Sequence, residues 1–226
     1  MTRESAVEPR RPASWWQAVA GLALLALLAG GLVTSTERWT RERIEGNQSL
    51  QTLRQLNRVL PPDLYDNDLH VDRIELLAPQ VLGSREPLPA WRARLDGRPS
   101  AAVLTVVAPN GYNGPISMLV ALRPDGRIIG VRVTGHKETP GIGDAIEDTR
   151  SDWILGFSGR SLQQPPEHRW RLTVDGGDID HISGASMSSR TITSALRRTL
   201  VYFAANQEQI FAAPAMPGTT DAEPAP

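Results

Sequence analysis

Two short stretches hold the side chains best suited to chemistry. The first, Asp180-His181-Ile182-Ser183-Gly184-Ala185-Ser186, is followed by Met187-Ser188-Ser189 and a run with helical spacing. Small hydroxyl residues and a glycine just ahead of a helix leave backbone N–H groups unpaired, and the helix dipole there favours an anion such as a phosphate. The same pattern also describes a capped helix, with Ser183, Ser186 or Ser188 as the cap and Gly184 in the turn. The second stretch, Gly135-His136-Lys137-Glu138-Thr139-Pro140-Gly141-Ile142-Gly143-Asp144, joins a strand to a helical pattern. Its glycines permit close backbone approach to a planar or phosphorylated ligand, and its free N–H groups could bond carbonyl oxygens of such a ring. A plain turn with solvated His136 and Lys137 fits these residues as well.

Composition removes several chemistries. The 226-residue chain has no cysteine, which excludes disulfides, iron–sulfur ligation by this chain and thioether haem attachment. Its four histidines, His70, His136, His168 and His181, show no zinc-ligand spacing, so no metal site is expected. The net charge of -1 offers no field for nucleic acid. Lys137 is the sole lysine among many arginines. The 135–144 loop lacks the spacing of a Walker A phosphate loop. No Gly-x-Ser-x-Gly elbow is present, and the third residue before Lys137 is Thr134, so a serine hydrolase is disfavoured.

The elements that must position these stretches follow from periodicity. Residues 14–34 are almost wholly apolar, with Trp15 and Trp16 at one end and Trp39 just past the other. About 20 helical residues span roughly 30 Å of hydrocarbon, so the segment reads as a transmembrane anchor. A cleaved signal peptide is the competing reading, since Arg10 and Arg11 precede the apolar run. Arginines on both flanks leave the orientation undecided by charge. Residues 35–62 read as a juxtamembrane helix with Ile44, Leu50, Leu53, Leu56 and Leu60 apolar, ended by Pro61 and Pro62.

Strands are expected between Val71 and Val133. The clearest feature is a hairpin in which Ile116, Met118, Val120 and Leu122 share a face, Pro124-Asp125-Gly126 turns, and Ile129, Val131 and Val133 return. A helix is expected over Asp144–Phe157, a strand-like stretch over His168–Val174, and a helix over Ser188–Gln209 with Ile192, Leu196, Leu200 and Phe203 on one face. Residues 212–226 lack periodicity and are expected to be disordered. The fold class is α+β: one membrane helix, then a domain over 63–211 with a mainly antiparallel sheet flanked by helices.

The 180–186 stretch resembles the flavinylation motif Asp-x-x-(Ser/Thr)-Gly-Ala-(Thr/Ser) of proteins modified by periplasmic flavin transferases. The resemblance implies FMN attached covalently as a phosphoester to Ser186, with Asp180 as the motif's acid and Ser183, Gly184 and Ala185 as its turn. Serine stands where threonine is usual, and Ser188 and Ser189 are nearby alternatives. His136–Asp144, continuing to Ser151-Asp152-Trp153-Ile154 and Phe157-Ser158-Gly159, is similar to the FMN-binding domain of RnfG, the G subunit of ion-translocating Rnf electron transport complexes. Tyr65-Asp66-Asn67-Asp68-Leu69 and Gly111-Tyr112-Asn113-Gly114-Pro115-Ile116 are also similar, and together the matches run from the anchor to about Phe203.

What the family implies is a redox subunit without independent catalytic activity, relaying electrons between ferredoxin and NAD inside a complex coupled to ion transport. It also implies a bacterial inner-membrane location with residues 1–13 cytoplasmic and the FMN domain periplasmic. The other Rnf subunits and a maturing flavin transferase are the implied partners. Gly111, Tyr112, His136, Lys137, Glu138, Thr139, Pro140, Gly141 and Gly143 would line the flavin ring, with Lys137 or His136 supplying positive charge to its reduced anion. The related C subunit of the sodium-pumping NADH:quinone reductase and a flavin-free membrane-tethered module are the alternatives. Chain length and the Tyr65–Leu69 segment favour the Rnf subunit.

Overall fold

The computed structural model describes residues 19–27, 29–30 and 52–214. The chain divides into two compact units, Met1–Leu50 and Gln51–Pro226. In the first, residues 19–27 and 29–30 are helical, with Val19, Leu22, Leu24, Leu25 and Leu27 exposed. Among the described residues no helix is long and apolar enough to cross a membrane. The remainder of the expected anchor over 14–34, most of the juxtamembrane helix, residues 1–13 and residues 215–226 lie outside the described residues.

The second unit is built on a five-stranded sheet in the order β1 Arg73–Leu76, β2 Leu88–Leu95, β3 Arg98–Ala108, β4 Ile116–Leu122 and β5 Ile128–Gly135. Every neighbouring pair is antiparallel, and the strands pair in sequence order. Asp96-Gly97, both at positive φ, closes β2 onto β3. Gly126, at φ 79°, closes β4 onto β5.

Alternation sends the strands' side chains to two buried faces. Ala102, Leu104, Val106, Met118, Val120 and Val131 share a core with Ile192, Leu196, Leu200 and Phe203 of the long helix α3, Ser186–Ala212. Ala101, Val103, Leu119 and Ala121 face the other way, against Leu56, Val59 and Leu60, which belong to helix α1, residues 52–59, and its end. α1 lies so close that a Cβ on Gly130 would stand 2.9 Å from the Val59 carbonyl oxygen. A one-turn helix α2, Pro79–Leu82, completes the regular elements.

Three expectations need correction. Ile129 does not share a face with Val131 and Val133: Leu122 pairs with Ile128 while Ala121 pairs with Gly130, so β5 carries an extra residue there. That bulge turns Ile129 toward the α1 side. Asp144–Phe157 is not one helix but two 3-10 turns, Gly143–Ile146 and Trp153–Phe157. Local side-chain bonds compete with a helix between them: Ser151 Oγ donates to the Ala145 carbonyl at 2.6 Å and accepts from the Trp153 N–H at 3.2 Å. Asp148 pairs with Arg58 and Arg132. His168–Val174 is not a strand but a pair of 3-10 turns, Glu167–Arg169 and Thr173–Asp175, with one parallel bridge from Leu172 to Ile179. The chain doubles back there at Gly177, where any side chain would strike the Arg171 carbonyl.

α3 is held at its C-terminal end by a buried guanidinium. Arg92, 3% exposed, pairs with Asp72 and donates to the carbonyls of Ile210, Phe211 and Ala213. Those carbonyls have no intrahelical partner, so the cation satisfies them and complements the dipole. Arg92→Met should lower unfolding free energy by about 3 kcal/mol, the scale of breaking one side of a buried pair. Urea denaturation measures the loss, and hydrogen exchange should find the last turn of α3 opening first.

Candidate functional site

The site lies where three segments meet at the head of α3. A buried carboxylate joins them. Glu138, 5% exposed, accepts a hydrogen bond from Ser188 Oγ at 2.6 Å through one oxygen and from the Asn113 N–H at 3.2 Å through the other. Asn113 Nδ2 adds a bond to Thr139 Oγ1 at 3.1 Å, and Thr191 Oγ1 donates to the Asn110 carbonyl at 2.7 Å. The β3–β4 loop, the loop after β5 and the first turns of α3 are thereby fixed to one another.

Two of the glycines serve that carboxylate. A Cβ on Gly111 would stand 2.7 Å from Glu138 Oε1, and a Cβ on Gly143 would stand 2.8 Å from Glu138 Cβ. Both positions must lack a side chain for Glu138 to fit, so their close approach is to protein. Gly141 is different. It sits at φ 79° in a turn closed by the Ile142 N–H on the Thr139 carbonyl, with Pro140 ahead of it, the Pro-Gly pattern of a type II turn.

A second turn faces the first. The Ala185 N–H bonds the Ile182 carbonyl at 3.0 Å with Gly184 at φ 83°, and a Cβ on Gly184 would lie 3.3 Å from Ile142 Cγ2. The two stretches singled out in the sequence are therefore in contact. Trp153 Nε1 braces the second turn by donating to the Asp180 carbonyl at 2.7 Å. The side chains of Asp180 and Ser183 stay exposed.

No side chain caps α3. Its N-cap is Ala185, buried and unable to accept a bond through its side chain. The serines that could have capped it are placed otherwise: Ser188 is committed to Glu138, and Ser189 Oγ accepts from the Ile182 N–H while donating to the Ala185 carbonyl. Both are fully buried. Ser186 is half-buried, and its hydroxyl has no partner among the described residues. The N–H groups of Ser186, Met187 and Ser188 likewise find no acceptor among the described residues, since the first helical bond runs from Ser189 to Ala185. An unpaired N-terminal turn beside a reachable hydroxyl suits a phosphate group.

The remaining candidates are distributed around this centre. His136 is engaged on both nitrogens: Nδ1 accepts from the Glu138 N–H at 3.0 Å and Nε2 bonds Glu147 at 2.7 Å. Lys137, Thr139 and Pro140 are exposed, and Tyr112 is 69% exposed. Lys137 is thus the site's freely presented cation. Ser188, Asn113 and Trp153 were not among the expected ring-lining residues. Their roles depend on contacts of 25 to 50 residues' separation, which no local pattern announces. Among the described residues no group of three or more acidic or histidine side chains could hold a metal.

A family model described as the FMN-binding domain matches residues 111–201, and one described as the RnfG N-terminal region matches residues 13–59. The G subunit of an ion-translocating oxidoreductase complex from Shewanella loihica is 42% identical over 194 residues, covering 86% of this chain and 92% of that protein. Its namesake from Pseudomonas aeruginosa is 42% identical over 191 residues, covering 84% and 89%. A crystal structure of Shewanella oneidensis NqrC aligns with 66% of this chain and 76% of its own, at 26% identity and a TM-score of 0.47.

Two outcomes follow from this geometry. Glu138→Ala should cost about 2 kcal/mol, because Ser188 and the Asn113 N–H lose their buried acceptor. Glu138→Gln should be nearly neutral, since its amide oxygen can serve Asn113 while its NH2 donates to Ser188 Oγ; paired thermal melts test the contrast. The His136 ring and the Thr149 hydroxyl hold the Glu147 carboxyl below its ordinary value of 4.5. Its contribution to stability is therefore complete above pH 4.5 and disappears as pH falls through the lowered value. A carboxyl NMR titration should find that lowered midpoint, and His136→Ala should return it toward 4.5.

Proposed function

The chain belongs to the family of G subunits of ion-translocating oxidoreductase complexes, and from that premise we propose that it is the flavin-bearing electron relay of such a complex, with FMN esterified through its phosphate to Ser186. The observation that carries the attachment is the head of α3: a half-exposed Ser186 hydroxyl beside three backbone N–H groups, all without a partner among the described residues. With a dinucleotide form of the flavin as donor, the Ser186 Oγ–phosphorus bond would form as the pyrophosphate bond breaks, the nucleoside monophosphate leaving and the hydroxyl proton passing to solvent, and the adjacent N–H groups would hold the remaining phosphate oxygens.

When bound, FMN accepts and passes on electrons. The chain's own residues bind and orient it. The touching turns at Gly141 and Gly184 offer bare backbone near the head of α3, and Lys137 would present positive charge to an electron-rich ring. Tyr112, Ile142 and Met187 are exposed apolar side chains on the three joined segments and give the ring apolar surface. Glu138, Gly111, Gly143 and His136 act one layer behind, holding those segments in place. A relay needs a carrier that cannot diffuse away yet keeps an accessible edge, and a tether at a surface turn meets both needs.

The wider assignment rests on the family. Residues 14–34 anchor the chain in the bacterial inner membrane, the domain over 63–211 stands in the periplasm where a flavin transferase reaches it, and the other subunits of an Rnf-type complex are its electron partners. The exposed Leu22, Leu25 and Leu27 in the described part of the apolar helix support an anchor.

Intact mass of the full chain expressed with and without a flavin transferase tests the tether. An added FMN mass should appear only with the transferase and map to the peptide containing Ser186. Ser186→Ala should abolish it, while Ser186→Thr and Ser189→Ala should retain it. An unmodified wild-type chain, in cells that label a threonine-containing relative, would leave the family assignment standing and remove the covalent link.

A further inference from the structure

The outward side of α3, well past Ser186, carries a cation with no carboxylate partner among the described residues. Val81 of α2, Glu167 and the helix residues Arg197, Arg198, Val201 and Tyr202 line a groove of about 370 Å³. Arg197 uses Glu167, 3.3 Å away. Arg198 has no carboxylate partner among the described residues. Its Nη1 donates to the neutral Ser194 Oγ at 2.9 Å, and its Nε is buried without any hydrogen bond there.

Other buried or half-buried guanidiniums do have carboxylate partners: Arg92 and Arg94 with Asp72, Arg132 with Asp148. Desolvating a guanidinium without compensation is costly, and an interior N–H left unpaired adds to that cost. Burial and the neighbouring Arg197 both work against the charge on Arg198, holding its pKa below the ordinary arginine value. The lining sums to two cations and one anion, so one further negative charge neutralises it. The Arg198 Nη2 end, which makes no hydrogen bond among the described residues and is not buried, can donate to a carboxylate, and Val81, Val201 (40% exposed) and the Tyr202 ring supply apolar walls for an aliphatic stem. Glutamate or aspartate on a protein segment has that combination of stem and carboxylate.

We propose that this groove docks an acidic side chain of a neighbouring subunit, received by Arg198. The proposal rests on the chain being part of a complex and is independent of flavin attachment. Its position on α3 makes the contact rigidly continuous with the flavin site, since the same helix begins at Ser186.

The test uses the intact complex, isolated through a tag on this chain in wild type, Arg198→Gln and Arg198→Glu, with each co-isolated subunit quantified over a salt series. A photo-crosslinking residue at position 201 in otherwise wild-type complex identifies the neighbour. One subunit should crosslink through a segment containing Asp or Glu. It should dissociate at lower salt from Arg198→Gln, and its affinity for Arg198→Glu should fall on the order of thirtyfold. An arginine at the crosslinked acidic position should restore binding to Arg198→Glu. FMN content unchanged from wild type keeps this outcome separate from the tether. If Arg198→Glu misfolds, Arg198→Gln decides alone. Equal retention of every subunit, or loss confined to co-isolated anionic phospholipid, would overturn the proposal.

Discussion

A buried carboxylate organises this domain's working end. Glu138 sits between Gly111 and Gly143 and receives bonds from Ser188 and Asn113, so one side chain sets the spacing of two loops and a helix start. Interior charges are tolerated when their lone pairs are filled, and such networks fix a unique arrangement at the risk of high cost when any member is removed. The arrangement also explains why glycine occupies two positions in loops that look, in sequence, as though they were shaped for a ligand.

The long helix transmits that order. α3 is fastened at its head by Ser188 and Thr191, along its length by Ile192, Leu196 and Phe203 in the sheet's core, and at its tail by Arg92. Because Ser186 is its first residue, whatever is attached there inherits a defined position relative to the sheet. The opposite face of the sheet is closed by α1. Burial on both faces accounts for a sheet whose central strands are apolar almost throughout.

Much of this was legible in the residues. The β4–β5 hairpin, the antiparallel sheet and α3 followed from alternation, turn chemistry and helical spacing, because those signals are local. Proximity of the 136–144 and 180–186 stretches was implied only by family resemblance, since contact between Ile142 and Gly184 depends on the whole fold. The misread segments have particular causes: Ser151 bonds the backbone between the two 3-10 turns of 143–157, and the chain doubles back at Gly177 against Arg171. Ile129 changed faces through a bulge, which periodicity cannot register. Whether serines near 186 cap the helix or leave it open was undecidable from sequence, because Ser188 is claimed by a carboxylate 50 residues away.

The measurement that reaches the central claim most directly is a density map of the flavin-loaded full chain at a resolution that separates phosphate oxygens. Continuous density from Ser186 Oγ into the FMN phosphate is the predicted result, with the Ser186–Ser188 N–H groups on its oxygens, the ring against the Gly141 and Gly184 turns, and Glu138 still bonded to Ser188. A flavin phosphate joined to another hydroxyl, or a ring bonded to a displaced Glu138, would contradict it.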